Sequence, residues 1–166
     1  QMVGWVHTPT FLTCPEVIPA GTSFVGITAS FDFFATMAAA VGEPLPEGCD
    51  GKDLIPFLMG EKEGDVHEFL FWHNADPTDA PRRNLYAVRW KNWRLHKGEE
   101  GWRLFDLVAD PKETADLSVE NPEVVQRMLS EYEAFVATLP PLKTSAEFKG
   151  GGLVPLGWGW EIGNGG

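Results

Sequence analysis

Leu85-Tyr86-Ala87-Val88-Arg89-Trp90-Lys91-Asn92-Trp93-Arg94-Leu95-His96 is the stretch that decides the fold. Leu85 to Trp90 and Trp93 to His96 are β-prone runs, and the two residues between them have the spacing of a tight hairpin. Asn tolerates the left-handed backbone that such a turn needs, so Asn92 is the expected positive-φ residue. Alternation puts Trp93 and Leu95 on one face, with Arg94 and His96 on the other. Upstream, Phe69 to His73 reads as another strand, and downstream Trp102 to Leu107 reads as a fourth. Asn121-Pro122 then opens a helix, a cap followed by Pro at the first helical position. Its apolar stripe is Val125, Met128, Leu129, Tyr132, Phe135, Val136 and Leu139, and Pro140-Pro141 ends it. One helix across a four-stranded antiparallel sheet buries both apolar faces, which predicts an α+β fold.

Towards the N-terminus, Thr10 to Cys14 is a short β-prone run stopped by Pro15. A helix is expected next, capped by Ser30, striped by Phe31, Phe34, Met37, Ala38 and Val41, and closed by Gly42 in a left-handed cap. That stripe would pack on a large sheet, for which this chain has no strands to spare. A connector leads to Asp50-Gly51-Lys52-Asp53-Leu54-Ile55-Pro56-Phe57-Leu58, a short helical turn closed by Gly60. From Leu142 on, the last 25 residues hold eight glycines with Trp158 and Trp160, a strap or tail with no core of its own. The expected divisions are 1–60, 61–141 and 142–166.

Composition narrows the chemistry. With 43% hydrophobic and 22% charged residues the 166-residue chain is globular in type. A net charge of −11 speaks against a general nucleic-acid binder, and an anionic substrate would need a local positive pocket. Seven of the thirteen basic residues fall between Arg82 and Arg103, opposed there by Glu99 and Glu100 alone. No apolar run reaches the roughly 18 residues that span a bilayer. Cys14 and Cys49 stand in no metal-binding spacing, and His7, His67, His73 and His96 form no i, i+4 pair. There is no G-x-S-x-G, phosphate loop or dinucleotide fingerprint. A chain beginning at Gln1 reads as a fragment.

Four segments in order resemble the C-terminal third of the sulfatase family. Ala87-Val88-Arg89-Trp90-Lys91-Asn92-Trp93-Arg94-Leu95 is similar to the family's A-V-R-x-G-x-W-K-L hairpin. Leu104-Phe105-Asp106-Leu107, Asp110-Pro111-Lys112-Glu113 and Asp116-Leu117 are similar to L-Y-D-L-x-x-D-P-x-E-x-x-N-L. Asp50-Gly51, Leu54, Pro56, Leu58 and Gly60 match D-G-x-x-L-x-P-x-L-x-G. Thr8-Pro9, Ile18-Pro19-Ala20-Gly21, Asp32 and Thr36 resemble the crossing out of the catalytic sheet. The chain departs at Gly4-Trp5-Val6-His7-Thr8-Pro9, where the family has Gly-Gly-x-Arg-x-Pro, and at Cys14-Pro15-Glu16, where it has Trp-Pro-Gly.

The resemblance implies that 1–60 is the tail of a larger alkaline-phosphatase-like α/β region and 61–141 the antiparallel subdomain. It implies a sulfuric ester hydrolase whose formylglycine and calcium sit in an N-terminal portion of the same protein. Neither Cys14 nor Cys49 fits C/S-x-P-x-R, and the chain has no Asp-Asp pair. No catalytic or metal residue is therefore assigned here. His73 and Asn74 at a strand end, with Arg82 and Arg83 in the following loop, are the candidate substrate-binding residues for a sulfated small molecule or carbohydrate. His73 is expected partly exposed, and Trp72 buried. The family also favours a periplasmic or secreted setting. The alternative is a stand-alone carbohydrate-binding or interaction module built on the tryptophans.

Overall fold

A computed structural model describes residues 9–74 and 85–140. Its elements are α1 (Asp32–Val41), α2 (Ile55–Leu58), β1 (Phe69–Asn74), β2 (Leu85–Trp90), β3 (Trp93–Gly98), β4 (Gly101–Asp106) and α3 (Pro122–Thr138). The strands form one antiparallel meander in the order β1-β2-β3-β4. The expected α+β architecture is present.

Register explains the core. Phe71, Val88, Leu95 and Leu104 lie opposite one another across the four strands. They meet Met128 and Tyr132 of α3, and Val88, Leu95, Leu104 and Met128 are wholly buried. Burying each such side chain stabilises the fold by about 1.5–3 kcal/mol. Phe135 fastens the helix to β1, its ring stacked at 4.7 Å on Phe71. The opposite sheet face is closed too. Phe105 is buried there beneath His96, ring to ring at 5.2 Å, and Arg94 is buried with its Nη1 donating to Glu113 Oε1 at 2.6 Å. Period-two alternation therefore separates an apolar face from a second face that holds a buried ion pair.

The loop after β4 is built by aspartates. Asp106 Oδ1 accepts from the amides of Val108 and Ala109, and Asp110 Oδ2 accepts from Thr114 and Ala115. Asp116 Oδ1 accepts from Leu104 and Ser118, tying the loop back to the sheet. These are Asx-type turns in which a short carboxylate satisfies amides that no ladder reaches.

The N-terminal part is organised around Asp32, which is fully buried. Its carboxylate accepts from the amides of Ala29 and Lys52 and lies 2.7 Å from His67 Nε2. Thr36 Oγ1 donates to the Asp32 carbonyl and accepts from the Leu54 amide. Gly51 lies against α1 so closely that a Cβ there would sit 2.5 Å from the Phe31 carbonyl oxygen. Asp32, Thr36 and Asp50-Gly51 are thus parts of one joint between α1 and the connector.

Several sequence expectations are corrected. Thr10 to Cys14 forms no strand among the described residues. The Cys14 carbonyl instead accepts from Val17 and Ile18 in a turn, which the Pro15 ring favours. Ser30 does not cap α1: Phe31 holds the cap position without a side-chain bond, and Asp32 ties down the preceding turn. Gly42 does end α1 in the left-handed conformation, with φ of 75°. In the β2–β3 turn Lys91, not Asn92, takes positive φ, at 51°. Asn92 is engaged elsewhere: its Nδ2 donates to Asp106 Oδ2, and its carbonyl accepts from Arg89 Nη1 and the Leu107 amide. β3 runs on to Gly98, and β4 stops at Asp106 rather than Leu107. Trp72 is half-buried, not buried, since the edge strand β1 has a neighbour on one side only.

Candidate functional site

β1 carries Phe69, Phe71 and His73 on the face that meets α3, and at its end it leaves the apolar core for a more polar surface. His73 lies opposite Tyr86 on β2, Lys97 lies opposite Trp102 across β3 and β4, and Tyr132 reaches down from α3. The His73 ring stands 5.1 Å from Tyr86 and 5.8 Å from Tyr132. His73 Nδ1 and the Tyr132 hydroxyl share a hydrogen bond of 2.7 Å. With the hydroxyl donating, the ring proton of a neutral imidazole sits on Nε2.

These side chains, with Glu133, Val136 and Ala137, line an open cleft of about 430 Å3 between α3 and the sheet. Trp102 meets Tyr132 edge-to-face at 5.2 Å, and Lys97 Nζ lies 5.6 Å above the Tyr86 ring. Burial, aided by the neighbouring Tyr86, pushes the Tyr132 phenol up to about 12, so it stays protonated at neutral pH.

His73 is half-buried, as the strand-end position requires. Asn74 follows it, exposed and on the opposite sheet face by alternation, so the two do not converge from β1 on one point. Arg82 and Arg83 lie outside the described residues. Of the basic window, Arg94 is turned inward to Glu113, Arg89 is tied to the hairpin turn, and Lys97 enters the cleft. Sequence reasoning placed Tyr132 in the helix stripe and missed Tyr86, Lys97 and Trp102 as a group. Their signal was register: once the hairpins are paired, His73, Tyr86, Lys97 and Trp102 fall in one row.

The donor set does not suit a divalent cation. Asp32, Asp106, Asp110 and Asp116 spend their oxygens on the chain's own amides and side chains. No three His, Cys, Asp or Glu side chains converge among the described residues.

Residues 4–136 match the family described as N-sulphoglucosamine sulphohydrolase, C-terminal. The human steryl-sulfatase is 41% identical over 90 residues, which is 52% of this chain and 14% of that protein. Bovine arylsulfatase A is 33% identical over 109 residues, 65% of this chain and 21% of its own length. Among solved structures, a protein in complex with its substrate D-glucosamine-2-N,6-O-disulfate superposes with a TM-score of 0.61 at 21% identity, over 74% of this chain and 26% of that one. Ps i-CgsB superposes with a TM-score of 0.59 at 24% identity, over 73% and 27% respectively. The chain belongs to the sulfatase family and corresponds to the C-terminal part of its members, spanning a minor share of their length.

Proposed function

We propose that this chain supplies the C-terminal part of a sulfuric ester hydrolase, scaffolds it, and forms one wall of its substrate pocket without being active alone. The observation that carries the reading is His73, half-buried at the end of β1 and held there by the hydrogen bond between its Nδ1 and the Tyr132 hydroxyl. A fixed imidazole donor is suited to a sulfate oxygen or a sugar hydroxyl, and a protonated one more so. Asn74, which follows His73 on the opposite sheet face, and Arg82 and Arg83 further along the sequence remain the other proposed substrate-binding residues.

The remaining parts fit this division of labour. Residues 1–60 would complete the larger α/β region, 61–141 the antiparallel subdomain, and 142–166 would be a strap or tail. The partner is the N-terminal catalytic portion of the same protein. Formylglycine and the metal belong to that portion, where they would supply the oxygen nucleophile and charge neutralisation. Cys14 and Cys49 lack the sequence context for the first, and Asp32, Asp106, Asp110 and Asp116 hold the chain's own amides and side chains. No step of the chemistry is assigned to this chain. Phe34, Met37 and Val41 stand 51%, 61% and 73% exposed on α1, an apolar face suited to cover by that portion.

The test is kinetic. In the enzyme containing this chain, His73→Ala should raise KM for the sulfate ester about tenfold with a smaller fall in kcat, the mark of lost uniform binding. An unchanged KM would show that His73 serves only to brace Tyr132. Purified chain alone should release no sulfate from a chromogenic aryl sulfate.

A further inference from the structure

We propose that the cleft between α3 and the row His73, Tyr86, Lys97 and Trp102 is a binding site for an anionic saccharide, a pyranose ring bearing a sulfate or carboxylate. It takes from the pocket-wall reading only the choice of sulfate as the anion to test. The remainder follows from the cleft.

Its volume of about 430 Å3 lies in the range of ligand pockets, roughly 300–1,000 Å3. Tyr86, Trp102 and Tyr132 provide aromatic walls, and the edge-to-face contact of Trp102 with Tyr132 fixes the indole. A flat apolar wall with a polar rim matches a sugar, whose C–H faces are apolar and whose edges carry hydroxyls. The polar groups are unequal in kind. His73 and Lys97 bring donor groups to the lining, and Glu133 brings a carboxylate able to accept from ring hydroxyls.

Lys97 makes the site selective for an anion. Its side chain is exposed, yet the ammonium is held over the Tyr86 ring at 5.6 Å. That contact restrains a long side chain before a ligand arrives and lowers the entropy lost on binding. The chain's net charge of −11 repels anions at long range, so a local ammonium is the means of drawing one in. Tyr132 completes the device from below. It is buried and bonded to His73 Nδ1, which fixes the imidazole in the cleft lining.

The test follows the Trp102 indole N–H resonance of the isotope-labelled full chain during titration with glucosamine 6-sulfate, glucosamine or inorganic sulfate. Glucosamine 6-sulfate should give a saturable shift at about millimolar concentration, glucosamine a weaker one, and inorganic sulfate none at Trp102. Lys97→Glu changes an exposed position and should weaken the sulfated sugar about tenfold or more, as for loss of a charge-assisted bond. No shift with the sulfated sugar, an equal response to inorganic sulfate, or undiminished affinity in Lys97→Glu would each overturn the assignment. A second reading uses the larger enzyme, where Lys97→Glu should raise KM for a sulfated sugar about tenfold. Sugar binding lost while His73→Ala still raises KM would remove the cleft and leave the pocket wall. Sugar binding retained while His73→Ala leaves KM unchanged would do the reverse.

Discussion

α1 and α3 carry similar apolar stripes and meet opposite fates. On α3 the stripe enters the core, and Met128 is wholly buried against Val88, Leu95 and Leu104. On α1 the stripe faces outward, while the buried residues are Asp32, Ala35 and Thr36. The sheet that α3 needs is supplied by the residues just before it. For α1 the described residues supply a polar joint, made by Asp32, His67, Thr36 and the connector amides, and nothing of comparable size for Phe34 or Met37. An amphipathic pattern tells that a face seeks cover; it does not tell whether the cover lies in the same segment.

The largest effect should separate the two helices directly. Leu95→Ala, measured by urea unfolding, should destabilise the sheet and α3 by about 2–5 kcal/mol through a cavity that the core cannot close. Phe34→Ala should change the stability of this chain by less than about 0.5 kcal/mol, as at a solvent-facing position. A Phe34→Ala loss approaching that of Leu95→Ala would mean that α1 is packed in solution and would erase the contrast.

The second effect concerns acid. Burial first, then Arg94, holds the His96 imidazole below its ordinary 6.5. The Ala109 and Ala115 amides lead the groups that hold Asp106 and Asp110 below the usual 3.8. At Asp116 partial burial pushes upward but is outweighed by the Ser118 and Leu104 amides. In every case the folded value lies below the unfolded one, so the unfolded chain binds more protons. The stability from these groups is present in full above the unfolded values and is lost as pH falls. The urea midpoint of the sheet unit should therefore decline first below about pH 6.5, through His96, and again below about pH 4, through the aspartates. Asp110→Asn should flatten the second decline. A midpoint that rises on acidification would refute the assignment.

The smallest effect lies in the hairpin. Lys91 holds a left-handed backbone that an L-residue adopts at a cost of about 1 kcal/mol. Lys91→Gly should recover about 0.5–1 kcal/mol in urea unfolding, less whatever the ammonium contributes over the Trp90 ring at 5.0 Å. The equivalent change at Asn92 should destabilise, because it removes the bond to Asp106.

Much of the sheet unit was legible because its signals are local. Two-residue spacing announced the β2–β3 hairpin, alternation assigned its faces, and Asn121-Pro122 marked the start of α3. The turn conformer was not legible, since Asn92 and Lys91 both could bend and the choice depended on Asp106, distant in sequence. His73 could be named from its strand end, but its bond to Tyr132 spans 59 residues and has no local trace. The Thr10–Cys14 run had strand propensity without a neighbour to pair with, and propensity alone forms no ladder.

By itself the sequence determined the order of the elements, the α+β class, the family signature and the want of a nucleophile motif, all properties of composition and short spacing. The tertiary structure alone decided which apolar stripe is covered, that Arg94 and Glu113 pair in the second face, and that His73, Tyr86, Lys97, Trp102 and Tyr132 surround one cleft. The reason is physical. Periodicity acts over one or two turns of chain, whereas a cleft or a buried ion pair arises from segments brought together by packing, and packing depends on every surface at once.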